Sequence, residues 1–182
     1  ATETISRHLN VTPIGFRAHR HKINCETLLS LSKLGYQYDS SIVASSRLFN
    51  RQYSPKAPKT PYHPSLNDIC TPGQSPLIEI PISTLPIIKL PLALSYIKLF
   101  GLNLYKLFLP RLKEEIVTMY LHPYDLFQLP SKVDAPRSFM LARRRGRKGF
   151  NVLKGLLEHL EDTFSPKFVC AKETLTYLTN TQ

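Results

Sequence analysis

The chain contains little cysteine, and this shortage excludes two classes of protein. Its 182 residues include only Cys25, Cys70 and Cys170, and no two of these form a Cys-x-x-Cys pair. So sparse a set argues against a disulfide framework and against a cysteine-ligated zinc site. We therefore expect three unpaired thiols buried in the core. No internal repeat or low-complexity segment is present, so the composition indicates one domain spanning residues 1–182.

The chain also lacks a long uncharged apolar run. Its most apolar stretch, residues 85–109, is interrupted by prolines and by Lys89, Lys98 and Lys106. A membrane-spanning helix needs about 20 residues nearly free of charge, so we expect none here. No signal-like block of basic and then apolar residues opens the sequence, which begins at Ala1. We expect either a missing upstream region or a short relic of a longer enzyme, and the compartment stays open.

Acidic residues are scarce, which leaves a strongly basic chain. The 13 acidic residues against 24 basic ones give a net charge of +11. Six basic residues fall within twelve positions: Arg137, Arg143, Arg144, Arg145, Arg147 and Lys148. Such a cluster attracts phosphate, anionic lipid or anionic glycan, and its last four arginines are candidate anion-binding residues. The alternative is a solvated basic loop before a helix. Nucleic acid is not an expected partner, because no aromatic residues interleave the run.

The order of apolar runs and breakers predicts an α/β fold. A strand over 14–18 precedes a helix that Asn24 caps and Gly35 ends, and a second strand follows over 38–43. This strand–helix–strand order favours a parallel sheet.

Further elements follow from the same patterns. The sequence predicts a helix end over 2–9, an irregular loop over 44–76 and a strand over 77–81. It then predicts a helix over 95–109, a strand buried on both faces over 115–121, and a last short strand over 168–170. Two more helices are expected, one over 148–164 with four side chains inward (Val152, Leu156, Leu157 and Leu160) and one over 173–178.

His122 is the leading candidate for chemistry. It follows an apolar run and precedes Pro123, which holds the preceding backbone extended. A histidine near a carboxylate can give or take a proton near neutral pH. The alternative is a strand-end histidine that is merely hydrogen-bonded.

Four further polar residues stand near predicted strand ends. Arg17 is either a site residue or an ordinary surface arginine. His19 and His21 would share one side of an extended segment and could form part of a metal site. Asp39 is either a site carboxylate or an Asp bonded to its own backbone beside Ser40 and Ser41.

The order of these motifs resembles a known enzyme family. The motifs are Gly15-Phe16-Arg17-Ala18, then Gly35-Tyr36-Gln37-Tyr38-Asp39-Ser40-Ser41, and the apolar run that ends in His122-Pro123-Tyr124-Asp125. Together they resemble the second half of the polysaccharide deacetylases, metal-dependent hydrolases of the N-acetyl amide of amino sugars. The resemblance implies an incomplete distorted (β/α) barrel with roughly five of about seven strands, which leaves two strand edges exposed.

The resemblance also implies roles for single residues. His122 would be the general acid that protonates the leaving amine, and Arg17 would bond to the catalytic aspartate that serves as base. Asp39 would orient the catalytic histidine. Tyr124 would contact substrate, as would His19, which stands where the family has proline.

The metal-binding half of the family's machinery is absent from this sequence. No Asp-Asp pair occurs, and no two histidines are four residues apart. A divalent metal, with zinc the first candidate, is therefore expected in the complete enzyme and not on this chain alone. The expected partners are an N-acetylated glycan or glycolipid substrate and the missing N-terminal half or another chain. The alternative function is a non-catalytic half-barrel that binds anionic glycan or lipid through its arginines.

Overall fold

The computed structural model describes residues 2–127 and 146–179, which divide into two compact units. The first unit comprises Ala1–Pro81 and Phe168–Gln182, and the second comprises Ile82–Lys167. No helix in the described ranges is both long and apolar enough to cross a membrane.

A small parallel sheet organises the first unit. The elements of this unit are, in chain order, α1 (Thr2–Leu9), β1 (Gly15–Phe16), a 3-10 turn (His19–His21), α2 (Cys25–Lys33), β2 (Tyr38–Asp39), β3 (Ile78–Glu79) and α7 (Ala171–Thr179). The strands lie in the order β1-β2-β3, and both pairs are parallel. The predicted strand–helix–strand arrangement, the first helix and the last helix are confirmed. Residues 44–76 form neither helix nor strand, as predicted.

The strands are shorter than predicted because side chains replace the backbone ladder at their ends. Beyond β1, the Ala18 N–H donates to the Ser41 hydroxyl at 2.8 Å. Beyond β2, the Ser40 hydroxyl donates to the Ile80 carbonyl at 2.7 Å. The three strands therefore stop together at one polar edge.

Helix α2 ends as its sequence predicts. The Asn24 side chain accepts from the Thr27 N–H at 2.8 Å, and Gly35 takes a φ of 81° just past the helix. The Tyr36 N–H then bonds to the Leu31 carbonyl at 3.1 Å, which closes a Schellman motif. One face of α2 packs on the sheet, and the buried cluster there contains Leu28, Leu31, Tyr36 and Leu77.

The second unit is mainly helical. Its elements are α3 (Leu94–Phe100), α4 (Leu102–Phe108), a 3-10 turn (Leu109–Arg111), α5 (Pro123–Leu126) and α6 (Arg147–Phe164), and α6 packs against the three preceding α-helices. The predicted single helix over 95–109 is two helices, since Gly101 breaks it with a φ of 96°. Leu156 and Leu160 of α6 are buried as predicted, and Val152 is half-buried, but Leu157 is 36% exposed.

Two predicted strands are wrong. Among the described residues, 115–121 form an isolated parallel bridge between Tyr120 and Ala93 and hydrogen bonds between Thr118 and Ser83, but no strand. Val117 and Leu121 are exposed. The apolar run is therefore not buried on both faces. Residues 168–170 precede α7, where Glu173 accepts the Cys170 N–H at 2.8 Å. This segment caps a helix and pairs with no strand in the part of the chain that the structure describes.

The remaining predictions concern the cysteines and the barrel. All three cysteines are unpaired as expected, but Cys25 and Cys70 are only half-buried and Cys170 is exposed. The described residues contain a three-stranded sheet. The five-stranded partial barrel stays a prediction.

Candidate functional site

Two carboxyl groups lie side by side at the polar edge of the sheet. Asp39 ends β2 and Glu79 ends β3, and the two residues are register partners. Their exposed fractions are 0% and 1%. The two side chains are hydrogen-bonded to each other, which requires one of them to carry a proton.

Their environment explains why that proton is retained. Burial raises the pKa of both carboxyl groups, and the neighbouring Asp39 raises the pKa of Glu79 further. The positive charge of Arg17 acts in the opposite direction on Glu79. Two buried carboxyl groups in contact titrate as a pair, and this pair shares a proton.

The same pair fixes the chain that leaves β2. Asp39 accepts from the Ser41 N–H at 3.1 Å and from the Ser41 hydroxyl at 2.8 Å. Glu79 accepts from the Ile42 N–H at 2.9 Å. Both carboxyl groups therefore accept hydrogen bonds from backbone N–H groups. The structure shows Asp39 bonded to the backbone beside Ser40 and Ser41, which is the second of the two alternatives given for it.

Arg17 is an exposed cation held in a fixed orientation at this edge. Its Nε donates to the Ser40 carbonyl at 2.8 Å, and its Nη2 donates to the Ser40 hydroxyl at 2.7 Å. Two bonds from one guanidinium to one residue set the plane of the group. A fixed, exposed guanidinium at the carboxyl end of a parallel sheet is suited to binding a carboxylate.

His19 and His21 do not form the pair that the sequence suggested. The segment is a 3-10 turn with positive φ at Arg20 and His21, and not an extended strand, so the two rings are not on one side. His19 is exposed. His21 is buried, with Nδ1 3.0 Å from the Ser41 carbonyl and its ring edge-on to Tyr53.

These residues do not fit a zinc site. Within residues 2–127 and 146–179, no group of three or more His, Cys, Asp or Glu side chains could hold a metal ion. Asp39 and Glu79, the two buried acids at the sheet edge, are occupied by each other and by backbone N–H groups.

His122 lies in the second unit and is held where its sequence predicts. Its backbone is extended before Pro123, with φ −109° and ψ 152°, and α5 begins there. The half-buried imidazole stacks on Tyr124 at 4.6 Å between ring centroids. Tyr120 meets it edge-on at 5.4 Å. The ring is therefore positioned by two aromatic neighbours from its own segment.

The carboxylate of Asp125 anchors the histidine's backbone. Its Oδ2 accepts from the His122 N–H at 2.8 Å, and its Oδ1 accepts from the Ser95 hydroxyl at 2.6 Å. The Lys98 ammonium lies 2.7 Å from Oδ1. Asp125 and Lys98 are 0% and 2% exposed.

Sequence reasoning missed Glu79, Lys98 and Ser95 as site residues. Each stands alone among apolar neighbours, Glu79 between two isoleucines and Lys98 between Ile97 and Leu99. For Glu79 and Lys98, a single charge inside an apolar run was the available signal, since a charge there needs a partner when it is buried.

The other predicted site residues are placed as follows. Arg17, His19 and Asp39 belong to the first unit, and His122 and Tyr124 belong to the second. Arg147 is exposed at the start of α6. Arg143, Arg144 and Arg145 lie outside the described residues.

Comparison with family models, with curated proteins and with solved structures finds no match for this chain. The family resemblance therefore rests on the sequence motifs alone.

Proposed function

We propose that this chain is the C-terminal part of a metal-dependent polysaccharide deacetylase that hydrolyses the N-acetyl amide of amino sugars. The observation that carries the proposal is the way His122 is held. Its backbone is fixed by Pro123 and by the buried Asp125 carboxylate, while its imidazole stays half-exposed between two tyrosine rings.

Amide hydrolysis needs a proton donor at the departing nitrogen. The tetrahedral intermediate expels an amine only if that nitrogen is protonated, because an amide anion is a very poor leaving group. A positioned imidazole can supply this proton near neutral pH. His122 has that role in the proposal, and Tyr124, stacked on it, forms part of the substrate-binding surface.

Arg17 has the supporting role of binding the catalytic aspartate. Its guanidinium is already oriented by Ser40, so it loses little freedom on forming a charge-assisted bond to a carboxylate. His19, exposed next to this strand end, is available to substrate.

The orienting role implied for Asp39 is better assigned to Asp125. Asp39 is completely buried, and its oxygens bond to Ser41 and Glu79. Asp125 contacts His122 directly. We assign Asp39 to holding the sheet edge on which Arg17 stands.

The catalytic metal, with zinc as the first candidate, would be held by a preceding segment or by another chain. The described residues offer no set of ligands for it. The isolated chain is therefore expected to be inactive, and its substrate would be an N-acetylated glycan or glycolipid.

An acetate-release assay tests this proposal. The 182-residue chain, incubated with N-acetylglucosamine oligomers and zinc, should release no acetate. The longer protein that joins an Asp-Asp and His-x-x-x-His segment to this chain should release acetate, and a chelator should stop it. Chelator-sensitive release by the 182-residue chain would show that the metal site is misplaced, and an inactive longer protein would contradict the function.

Binding of an anionic glycan or lipid without catalysis is the second candidate. The net charge of +11 and the exposed Arg147 favour it. The DNA immediately upstream of the Ala1 codon separates the two: an in-frame Asp-Asp and His-x-x-x-His segment supports the enzyme, and a stop codon followed by a local start supports the binding protein.

A further inference from the structure

The second unit contains a fully buried ion pair, between Lys98 of α3 and Asp125 of α5. The Lys98 ammonium lies 2.7 Å from Asp125 Oδ1, and the two side chains are 1% and 0% exposed. Removing both charges from water is costly, and apolar residues of similar size often stabilise a fold as well or better. Stability alone therefore gives a weak reason for this pair.

Asp125 of this pair also contacts His122. Asp125 uses Oδ1 for Lys98 and for the Ser95 hydroxyl at 2.6 Å, and it uses Oδ2 for the His122 N–H at 2.8 Å. The Lys98 ammonium also donates to the Asp125 backbone carbonyl at 3.3 Å. Lys98 thus holds both the side chain and the backbone of the residue that fixes the histidine.

Lys98 is the cation beside the buried Asp125 carboxylate, and its ammonium contacts both Oδ1 and the backbone carbonyl of Asp125. Without Lys98, the buried carboxylate would lose its charged partner, and Asp125 would lose two of the contacts that hold it against the His122 N–H. The turn that carries the imidazole would then loosen.

We propose that Lys98 is a positioning residue for His122 and acts through Asp125. The effect of Lys98 on catalysis rests on the proposed function. The positioning of the His122 backbone by Lys98 and Asp125 is inferred from the contacts alone. Lys98 itself touches no reacting atom in this scheme. Its role is to keep the imidazole at a fixed place and angle against Tyr124.

The positioning of the His122 backbone is tested on the 182-residue chain by NMR amide hydrogen exchange. In Lys98→Met, the His122 amide should exchange at least about tenfold faster, relative to the Phe127 amide, which bonds to the Pro123 carbonyl in the same turn. Lys154→Met is the matched control, because it removes an exposed lysine whose ion pair with Glu158 is 3.6 Å long. In that control, the ratio of the His122 exchange rate to the Phe127 exchange rate should be unchanged.

Two further variants keep the test decisive. Lys98→Met combined with Asp125→Asn removes both charges and keeps an acceptor for the His122 N–H, so the ratio should return toward that of the wild type. If Lys98→Met does not fold, Ser95→Ala, which keeps both charges, should still speed His122 exchange about threefold. Equal acceleration of the two amides, or none at His122, overturns the proposal.

The catalytic part is tested in the longer protein. Lys98→Met should lower kcat about tenfold or more and leave KM within about twofold, since the loss is in alignment of the proton donor. An unchanged kcat in Lys98→Met beside a large loss in His122→Ala overturns the positioning role and leaves the proposed function intact. An unchanged kcat in His122→Ala contradicts the function itself.

Discussion

The shared proton of Asp39 and Glu79 predicts a specific dependence of stability on pH. Both carboxyl groups are buried with raised pKa, whereas in the unfolded chain they titrate near their ordinary values of about 3.9 and 4.3. Above those values the folded state holds a proton that the unfolded state has released. The free energy of unfolding therefore falls as pH rises, and it falls until the pair loses its proton.

The magnitude follows from the number of protons. One proton retained by the folded state and absent from the unfolded state lowers the free energy of unfolding by about 1.4 kcal/mol per pH unit. Glu79→Gln removes this effect, because the glutamine amide donates to Asp39 at every pH and its oxygen can still accept from the Ile42 N–H. From about pH 5.5 upward, the variant should gain stability relative to the wild type by up to about 1.4 kcal/mol per unit.

Urea unfolding followed by far-UV circular dichroism at pH 4 to 8 measures this difference, since the chain has no tryptophan for fluorescence. Comparison of the two proteins cancels the contribution of groups that titrate in both. Burial raises the pKa of Tyr62, so this neighbour of Glu79 stays neutral over the whole range. Glu26→Gln, which changes an exposed glutamate in the same unit, is the control. Its free energy of unfolding should change with pH as that of the wild type does. Parallel profiles for Glu79→Gln and the wild type would refute the shared proton.

Two further predictions concern the first unit. Gly15→Ala should destabilise the fold by about 1–3 kcal/mol, because the new Cβ would overlap the Tyr38 ring; combining it with Tyr38→Ala should make the alanine harmless, and an unchanged urea midpoint in the single variant would contradict this packing. Arg17→Ala in the longer protein should lower kcat about 10- to 100-fold, since a hydrogen bond to a charged group contributes about 1.5–3 kcal/mol. Arg7→Ala, an exposed arginine in α1, is its control, and a loss equal in both variants would remove Arg17 from the site.

Local signals in the sequence predicted local structure well. Asn24 and Gly35 mark the two ends of α2 because a cap and a positive φ depend on one or two residues. Pro123 fixes the His122 backbone for the same kind of reason. The parallel pairing of β1 and β2 also followed from the order of short elements.

Partners distant in the chain could not be predicted in this way. Glu79 meets Asp39 across 40 positions, and Lys98 meets Asp125 across 27, so neither pairing has a periodic signature. The strand predicted over 115–121 was wrong for a related reason. Its residues read as a strand buried on both faces, but burial depends on what packs against each face, and Val117 and Leu121 have exposed sides.

His122 is proposed to donate the proton to the leaving amine, and the pH dependence of acetate release shows whether it does. The rate of acetate release from N-acetylglucosamine oligomers is compared between the longer protein and its His122→Ala variant across pH, with bound metal measured in each. His8→Ala, an exposed histidine in α1, is the control.

His122→Ala should lower kcat by roughly 10²–10⁴-fold, the usual contribution of a positioned proton donor, while KM and metal content change little. His8→Ala should match the wild type. If His122→Ala strips the metal and leaves a residual rate that does not depend on pH, His122 is a metal ligand and the assignment of roles is wrong.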